Sequence, residues 1–342
     1  MKTTKFDFSR RLTKKNMEVF ADLCLGISER IGFKVSSRGW CYLMEQAGYI
    51  NKNEFDKVEN WINRCRKDGA LPVDFVAEEE ARLFKGVEKP STGTTEDTLD
   101  WMLRDVLEGD KYYTPDWWRG EKFYIQVVVE KIDLKTLFED VCKQYHSPIA
   151  NARGWSSILQ RADYARRFKE AEDMGLQCIL LYCGDHDPDG LRISDTIRKN
   201  LEQIQDITWS DGKDGYNPRN LRIERFGLNY DFIIKHKLTW IDNLITGNQN
   251  KLMDLSKPNH PNHKLPYVQQ YLKKVGARKC EANAIVTIPD VARDLIDESI
   301  TNILGNDAIS RFAKKRQEAR EEYRGYLEST NLIAPINEFL NR

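Results

Sequence analysis

Three aspartates stand at alternate positions, Asp185, Asp187 and Asp189, inside the stretch CILLYCGDHDPDGLRISD, residues 178–195. Like charges this close repel one another, and the arrangement is costly unless a cation compensates them. Hard oxygen ligands without a cysteine or histidine partner suit Mg²⁺. The plainer alternative is a solvated acidic turn built on Pro188 and Gly190. A fourth acid, Glu130, closes the apolar run FYIQVVV. Far upstream, Arg38 lies four residues before Tyr42, so on a helix the guanidinium and the phenol share a face. A helical tyrosine is most often a core or interface residue. As a nucleophile it would attack a phosphodiester and conserve the bond energy in a phosphotyrosine link. A free phenol has a pKa of about 10, so it needs help to ionise, and Arg38 is placed to give it.

The surrounding patterns predict what positions these groups. Cys178 to Cys183 is a short apolar run ended by Gly184, which reads as a buried strand. FYIQVVV reads as a second strand, with Glu130 at its end. An amphipathic helix follows, with Leu134, Leu137, Phe138, Val141, Cys142 and Tyr145 on one face. A short strand near Ile149–Ala152, a helix from about Ser156 to Met174 and a strand at 221–226 complete a strand–helix alternation. That alternation predicts a parallel sheet with right-handed crossovers, and it brings Glu130 and the aspartates to one carboxyl edge.

Residues 15–31, a stretch capped by Ser36 or Ser37, and residues from about Glu54 to Asp68 read as three helices. In the second, Trp40, Leu43, Met44 and Ala47 form the buried stripe. The third has an apolar face of Phe55, Val58, Ile62 and Cys65 opposite Lys57, Asn60, Arg64 and Lys67. A basic-polar face can dock on DNA, although an ordinary solvated face has the same pattern. GALPVDFVAEE reads as a wing, which makes residues 1–85 a winged-helix module. Residues 86–120 read as a linker or junction, and residues 121–342 as the sheet domain with a C-terminal helical extension. The fold class is therefore α/β: a mostly helical winged-helix domain joined to a Rossmann-like parallel sheet.

The chain has 342 residues, with 53 basic and 53 acidic side chains. Zero net charge gives no whole-chain case for nucleic acid. Residues 1–67, however, hold 14 basic against 8 acidic side chains, so the basic surplus is local to the helical module. Seven cysteines without CxxC spacing read as buried thiols in a reducing compartment. No run approaches a membrane span, and the first residues lack an apolar leader. A cytoplasmic, nucleoid-associated protein is expected.

An acid ending one strand and Asp-x-Asp ending another resemble the Toprim domain of topoisomerases and primases. VVVEKIDLKTLFED, ANARGWSS and YCGDHDPDGLRIS, preceded by SSRGWCYLMEQAGYI and VENWINRCRKDGALPVDFV, are similar to the A subunit of type IIB topoisomerases and to the related meiotic double-strand-break protein. The blocks follow the family's order over roughly residues 34–200. ARKCEANAI, residues 277–285, weakly resembles a later acidic segment of small bacterial and phage relatives. The resemblance implies Tyr42 as nucleophile, Arg38 as its partner, Glu130, Asp185 and Asp187 as Mg²⁺ ligands, and Asp189 as an accessory acid. Cys41 stands where the family often has an aromatic residue. No ATPase motif is present, so the chain looks like the compact A-type proteins of mobile elements, with a separate ATPase subunit as a possible partner. The implied activity is breakage of double-stranded DNA. One chain carries one Tyr42 and one acidic cluster while a double-strand break needs two of each, so a two-fold homodimer is expected, with segment 86–120 letting Tyr42 act in trans on the partner's acids. The competing expectations are a Toprim nuclease that uses water and leaves no covalent link, and a DNA-binding subunit without catalysis.

Overall fold

The computed structural model describes residues 13–72, 75–77, 93–152, 158–207, 215–246 and 253–342. In chain order these form α1 (Lys14–Ile31), α2 (Ser37–Gln46), α3 (Phe55–Lys67), α4 (Thr95–Leu107), α5 (Gly109–Tyr112), β1 (Phe123–Val129), α6 (Ile132–Gln144), β2 (Ile149–Asn151), α7 (Ile158–Asp173), β3 (Gln177–Cys183), α8 (Ile193–Glu202), β4 (Arg222–Gly227), α9 (Tyr230–Lys235), β5 (Ile245–Thr246), β6 (Met253–Asp254), α10 (Pro266–Lys274), α11 (Pro289–Leu304), α12 (Ala308–Ser329) and α13 (Ile333–Leu340). No helix among the described residues is long and apolar enough to cross a membrane.

Contacts divide the chain into two compact units. The first, residues 1–78 and 122–303, holds both the N-terminal helices and the sheet. Its four strands are all parallel, in the order β2-β1-β3-β4. β1 leads through α6 to β2 on one side. The chain then crosses through α7 to β3 on the other side of β1. The carboxyl edge between β1 and β3 is thus the point where the winding reverses, and open α/β sheets bind their ligands there. β1 and β3 are almost wholly buried, as strands covered on both faces must be.

The N-terminal helices follow the expected faces. Met17, Phe20, Ala21, Cys24 and Ile27 are buried on α1, and Phe55, Val58, Ile62 and Cys65 on α3, joined there by Trp61. On α2 the buried stripe is Trp40, Leu43 and Met44, whereas Ala47 is exposed because the helix stops at it. Residues 73–74 and 78–79 of the expected wing lie outside the described residues. The described neighbours 69–72 and 75–77 form turns rather than strands, with Leu71, Phe75 and Val76 buried.

The second unit, residues 79–121 and 304–342, corrects the expectation of a linker at 86–120. Residues 86–92 lie outside the described residues, but α4 and α5 are helices, and they belong with α12 and α13. Thr94 starts α4 as a full capping box with Asp97, a local signal that the Gly, Pro and Thr around it obscure in the sequence. Trp117 packs against Phe312 with ring centroids 4.4 Å apart. The mixed charges of α12 are put to use inside this unit: Lys315 donates to the Trp117 and Arg119 carbonyls, and Arg324 pairs with Asp110.

All seven thiols are buried, and burial raises the pKa of each. Thiolate is the reactive form. A thiol-reactive dye at neutral pH is therefore expected to label none of the seven in the native protein and all seven in denaturant. Rapid native labelling of any one would place that side chain at the surface.

Candidate active site

Glu130 follows β1 directly, and its N–H extends the sheet by donating to the Cys183 carbonyl at 2.9 Å. Its Oε2 accepts from the Asp185 N–H at 2.7 Å. Lys131 then bridges the two acids, 2.7 Å from Glu130 Oε1 and 3.0 Å from Asp185 Oδ2. The other Asp185 oxygen accepts from the Ala282 N–H at 2.7 Å. Burial alone would raise the Glu130 pKa, but Lys131 and the Asp185 N–H outweigh it and hold it low. Burial wins at Asp185, whose carboxyl is raised despite Lys131.

The aspartate loop is held in shape from β4. Arg225 donates to the carbonyls of Gly184, Asp185, Gly190 and Leu228 at 2.6–3.0 Å. Two glycines are required by close approach rather than by flexibility. A Cβ on Gly184 would lie 2.7 Å from Glu130 Oε2, and one on Gly190 would lie 2.3 Å from the Asp185 carbonyl oxygen.

Because the chain leaves β3 as a turn, the three aspartates fan out instead of sharing one face. Asp185 points to Glu130. Asp187 is half-buried and accepts from the Gly190 N–H at 2.6 Å; burial, with a contribution from Glu130, raises its pKa. Asp189 is exposed and accepts from the Tyr267 hydroxyl at 2.9 Å, and its charge also contributes to raising Asp187. Among the described residues no three candidate metal ligands are gathered around one point. The donor chemistry nevertheless fits a hard divalent ion at Glu130, Asp185 and Asp187. It is all carboxylate oxygen, and the Glu130–Asp185 pair already holds one cation, the Lys131 ammonium.

Tyr42 lies half-buried on α2 and faces Glu281, a residue that spacing alone did not single out. Burial, together with the Glu281 charge, raises the phenol pKa, while Lys131 and Arg38 act in the opposite sense. Glu281 is itself paired with Lys52 and lies near Lys279. Its Oε2 is buried without a hydrogen bond of ordinary geometry. It reaches the site because Cys280 and His186 exchange backbone hydrogen bonds, which clips ARKCEANAI onto the aspartate loop. Arg38 stacks 4.7 Å above Phe55 and pairs with Glu59 at 3.2 Å. Tyr42 and Glu281 face each other within one chain, and Lys131, which bridges the two acids, also acts on the phenol. On α3, Lys57, Asn60 and Lys67 are exposed on one face, and Arg64 is exposed but engaged by Asp68 at 2.9 Å.

One buried carboxylate sets where α2 sits. Asp133, at the start of α6, accepts from Ser36 N at 2.6 Å, Ser36 Oγ at 3.1 Å and Asn283 Nδ2 at 3.1 Å. Ser36 is also the N-cap of α2, accepting from the Gly39 N–H. A negative charge at a helix N-terminus is favourable, and each hydrogen bond to a charged group adds roughly 1.5–3 kcal/mol. Comparisons with known protein families, with curated proteins and with solved structures find no match for the chain.

A Cβ at Gly39 would lie 2.6 Å from Asp133 Oδ2, whose position three donors fix. Replacing a helical glycine by alanine ordinarily gains about 1 kcal/mol. Here overpacking reverses the sign, and Gly39→Ala is expected to destabilise the protein by about 1–2 kcal/mol in a urea titration. A stabilised variant would show that Asp133 does not hold α2.

Proposed function

We propose that this chain cleaves double-stranded DNA by transesterification onto Tyr42, in the manner of the type IIB topoisomerase A subunits that its sequence resembles. The observation that carries the reading is the placement of a helix-borne tyrosine against a carboxylate, Glu281, beside the Glu130–Lys131–Asp185 cluster at the switch point of a parallel sheet. The Tyr42 oxygen forms a bond to phosphorus as the bond from phosphorus to the sugar oxygen breaks. The phenol loses one proton and the leaving sugar oxygen gains one, so the step is redox-neutral and can run backwards to reseal the strand. Glu281 is the acceptor for the phenol proton, because it faces the hydroxyl and its own pKa is held low by Lys52 against the effect of burial. Arg38 favours the phenolate and adds positive charge near the phosphate. Mg²⁺ on Glu130, Asp185 and Asp187 would supply charge that stabilises the scissile phosphate when bound. Lys131 offsets one charge of the Glu130–Asp185 pair in its absence. Lys57, Asn60 and Lys67 offer the phosphate-contacting face of α3, and Arg64 joins them by exchanging Asp68 for a phosphate. A two-fold dimer accounts for cutting both strands of a duplex.

The test is incubation with supercoiled plasmid and Mg²⁺, followed by detergent and protease. Protein-linked broken DNA is expected. Tyr42→Phe should abolish the adduct with duplex affinity within about twofold of wild type, and Glu281→Gln should slow adduct formation by about 100-fold or more. Breakage that persists in Tyr42→Phe without an adduct would move the protein to the water-dependent nucleases.

The proximity of Tyr42 to Glu281 and Lys131 within one chain favours a site built in cis over the trans arrangement expected from the sequence, and the two are separable by experiment. Mixing Tyr42→Phe protein with Glu130→Gln protein leaves each chain with one defective half-site, so no nicking should return after verified subunit exchange. Recovery of nicking would restore the trans arrangement.

A further inference from the structure

On the outer side of the aspartate loop lies a cavity of about 300 Å³ that the cleavage chemistry does not use. That volume is at the lower end of the range of about 300–1,000 Å³ that holds small organic ligands. Its lining combines the rings of Tyr230, Tyr267 and Tyr271 with His186, and Arg192 and Lys274 bring positive charge. The rings are held in place by the surrounding structure. Tyr271 is buried, with its hydroxyl 2.9 Å from the His186 and Arg278 carbonyl oxygens. Tyr267 is fixed by its bond to Asp189 and by the Arg192 guanidinium, 4.8 Å from the ring centroid. Arg192 is shared with Asp195 at 3.1 Å, in an exposed pair that a phosphate can enter at little cost.

His186 lines the same hollow. It is only 3% exposed, and its Nδ1 lies 3.1 Å from the Leu228 carbonyl oxygen. A carbonyl can only accept, so Nδ1 carries the proton and Nε2 presents a lone pair. That Nε2 is buried and has no hydrogen-bond partner among the described residues. A second hollow of about 310 Å³, lined by Lys199, Thr196, Asp189 and Asp195, shares Arg192 and Tyr267 with the first. The Tyr267–Arg192 pair therefore forms a wall common to an aromatic hollow and a polar one.

Aromatic rings that stack a base, beside cations that meet a phosphate, are the chemistry of single-stranded nucleic-acid recognition. We propose that this double hollow is a nucleotide-binding site that takes an unstacked base against Tyr230, Tyr267 and Tyr271 and its phosphate at Arg192 and Lys274. The nucleotide belongs either to a DNA strand or to the free pool, and the two share this chemistry. The site does not depend on Tyr42 being a nucleophile.

The test uses the full-length protein, a short single-stranded oligonucleotide with one central 2-aminopurine, and dAMP as competitor. Binding with a clear change in 2-aminopurine fluorescence is expected. Tyr267→Leu and Tyr230→Leu, each checked for a native melt, should weaken binding about tenfold. Tyr267→Phe keeps the ring but loses the bond to Asp189, and it should bind as wild type does. Competition by dAMP assigns the site to free nucleotide as well as strand. Its absence, with the leucine variants still weakened, assigns it to a strand alone. Unchanged affinity in both leucine variants, or a Tyr267→Phe defect equal to that of Tyr267→Leu, overturns the proposal. Because Tyr42→Phe leaves these residues intact, loss of the covalent adduct and loss of base binding are read separately.

Discussion

Two carboxylates and one ammonium, brought together in a desolvated corner, are the constraint on which the rest of the first unit depends. Glu130 and Asp185 arrive from neighbouring parallel strands, and only the reversal of winding between β1 and β3 leaves room for them at the sheet edge. Two acids so close cannot both stay ionised without compensation. Lys131 provides part of it from the next position in the chain, so the turn that creates the cluster also offsets one of its two negative charges. The Ala282 N–H on Asp185 and the Arg225 fork on the loop carbonyls complete the enclosure. Any reaction at this edge takes place in a site whose charges are already arranged, where little reorganisation is needed as new charge develops.

The tyrosine helix is tied to that corner by a second buried acid. Asp133 lies three residues after Glu130, on the first turn of α6, and holds the N-terminus of α2. Strand end, loop and helix start therefore form one continuous frame: β1 delivers Glu130, the turn delivers Lys131, and α6 delivers Asp133. Asn283 donates to Asp133 from the segment that also carries Glu281. The distance between Tyr42 and the acids is thus fixed by hydrogen bonds to backbone and short side chains rather than by long, mobile ones.

Much of this was legible in the sequence, because it is written in local patterns. The short apolar runs of β1 and β3, the helical faces of α1, α3 and α6, the Ser36 cap and the buried cysteines all follow from residues a few positions apart. The strand–helix alternation was enough to give the parallel sheet. What escaped the reading depends on distant partners. Glu281 looks like an ordinary acid until the Cys280–His186 pairing brings it beside Tyr42. Asp133 looks like a first-turn acid until Ser36 meets it. Asp189 shares the spacing of its neighbours, but the turn after β3 sends it toward Tyr267 instead. The segment 86–120 has the composition of a linker and finds its helical partners only near residues 308–340.

That last separation bears on how the chain is made. α4 carries Leu99, Trp101, Met102 and Val106 at its surface, and the helices it belongs with are encoded after the whole sheet. At about 5–20 residues per second, a ribosome needs on the order of ten seconds or more to synthesise the intervening sheet region. During that interval α4 has none of the helices it belongs with, so the second unit can close only after the first has been synthesised.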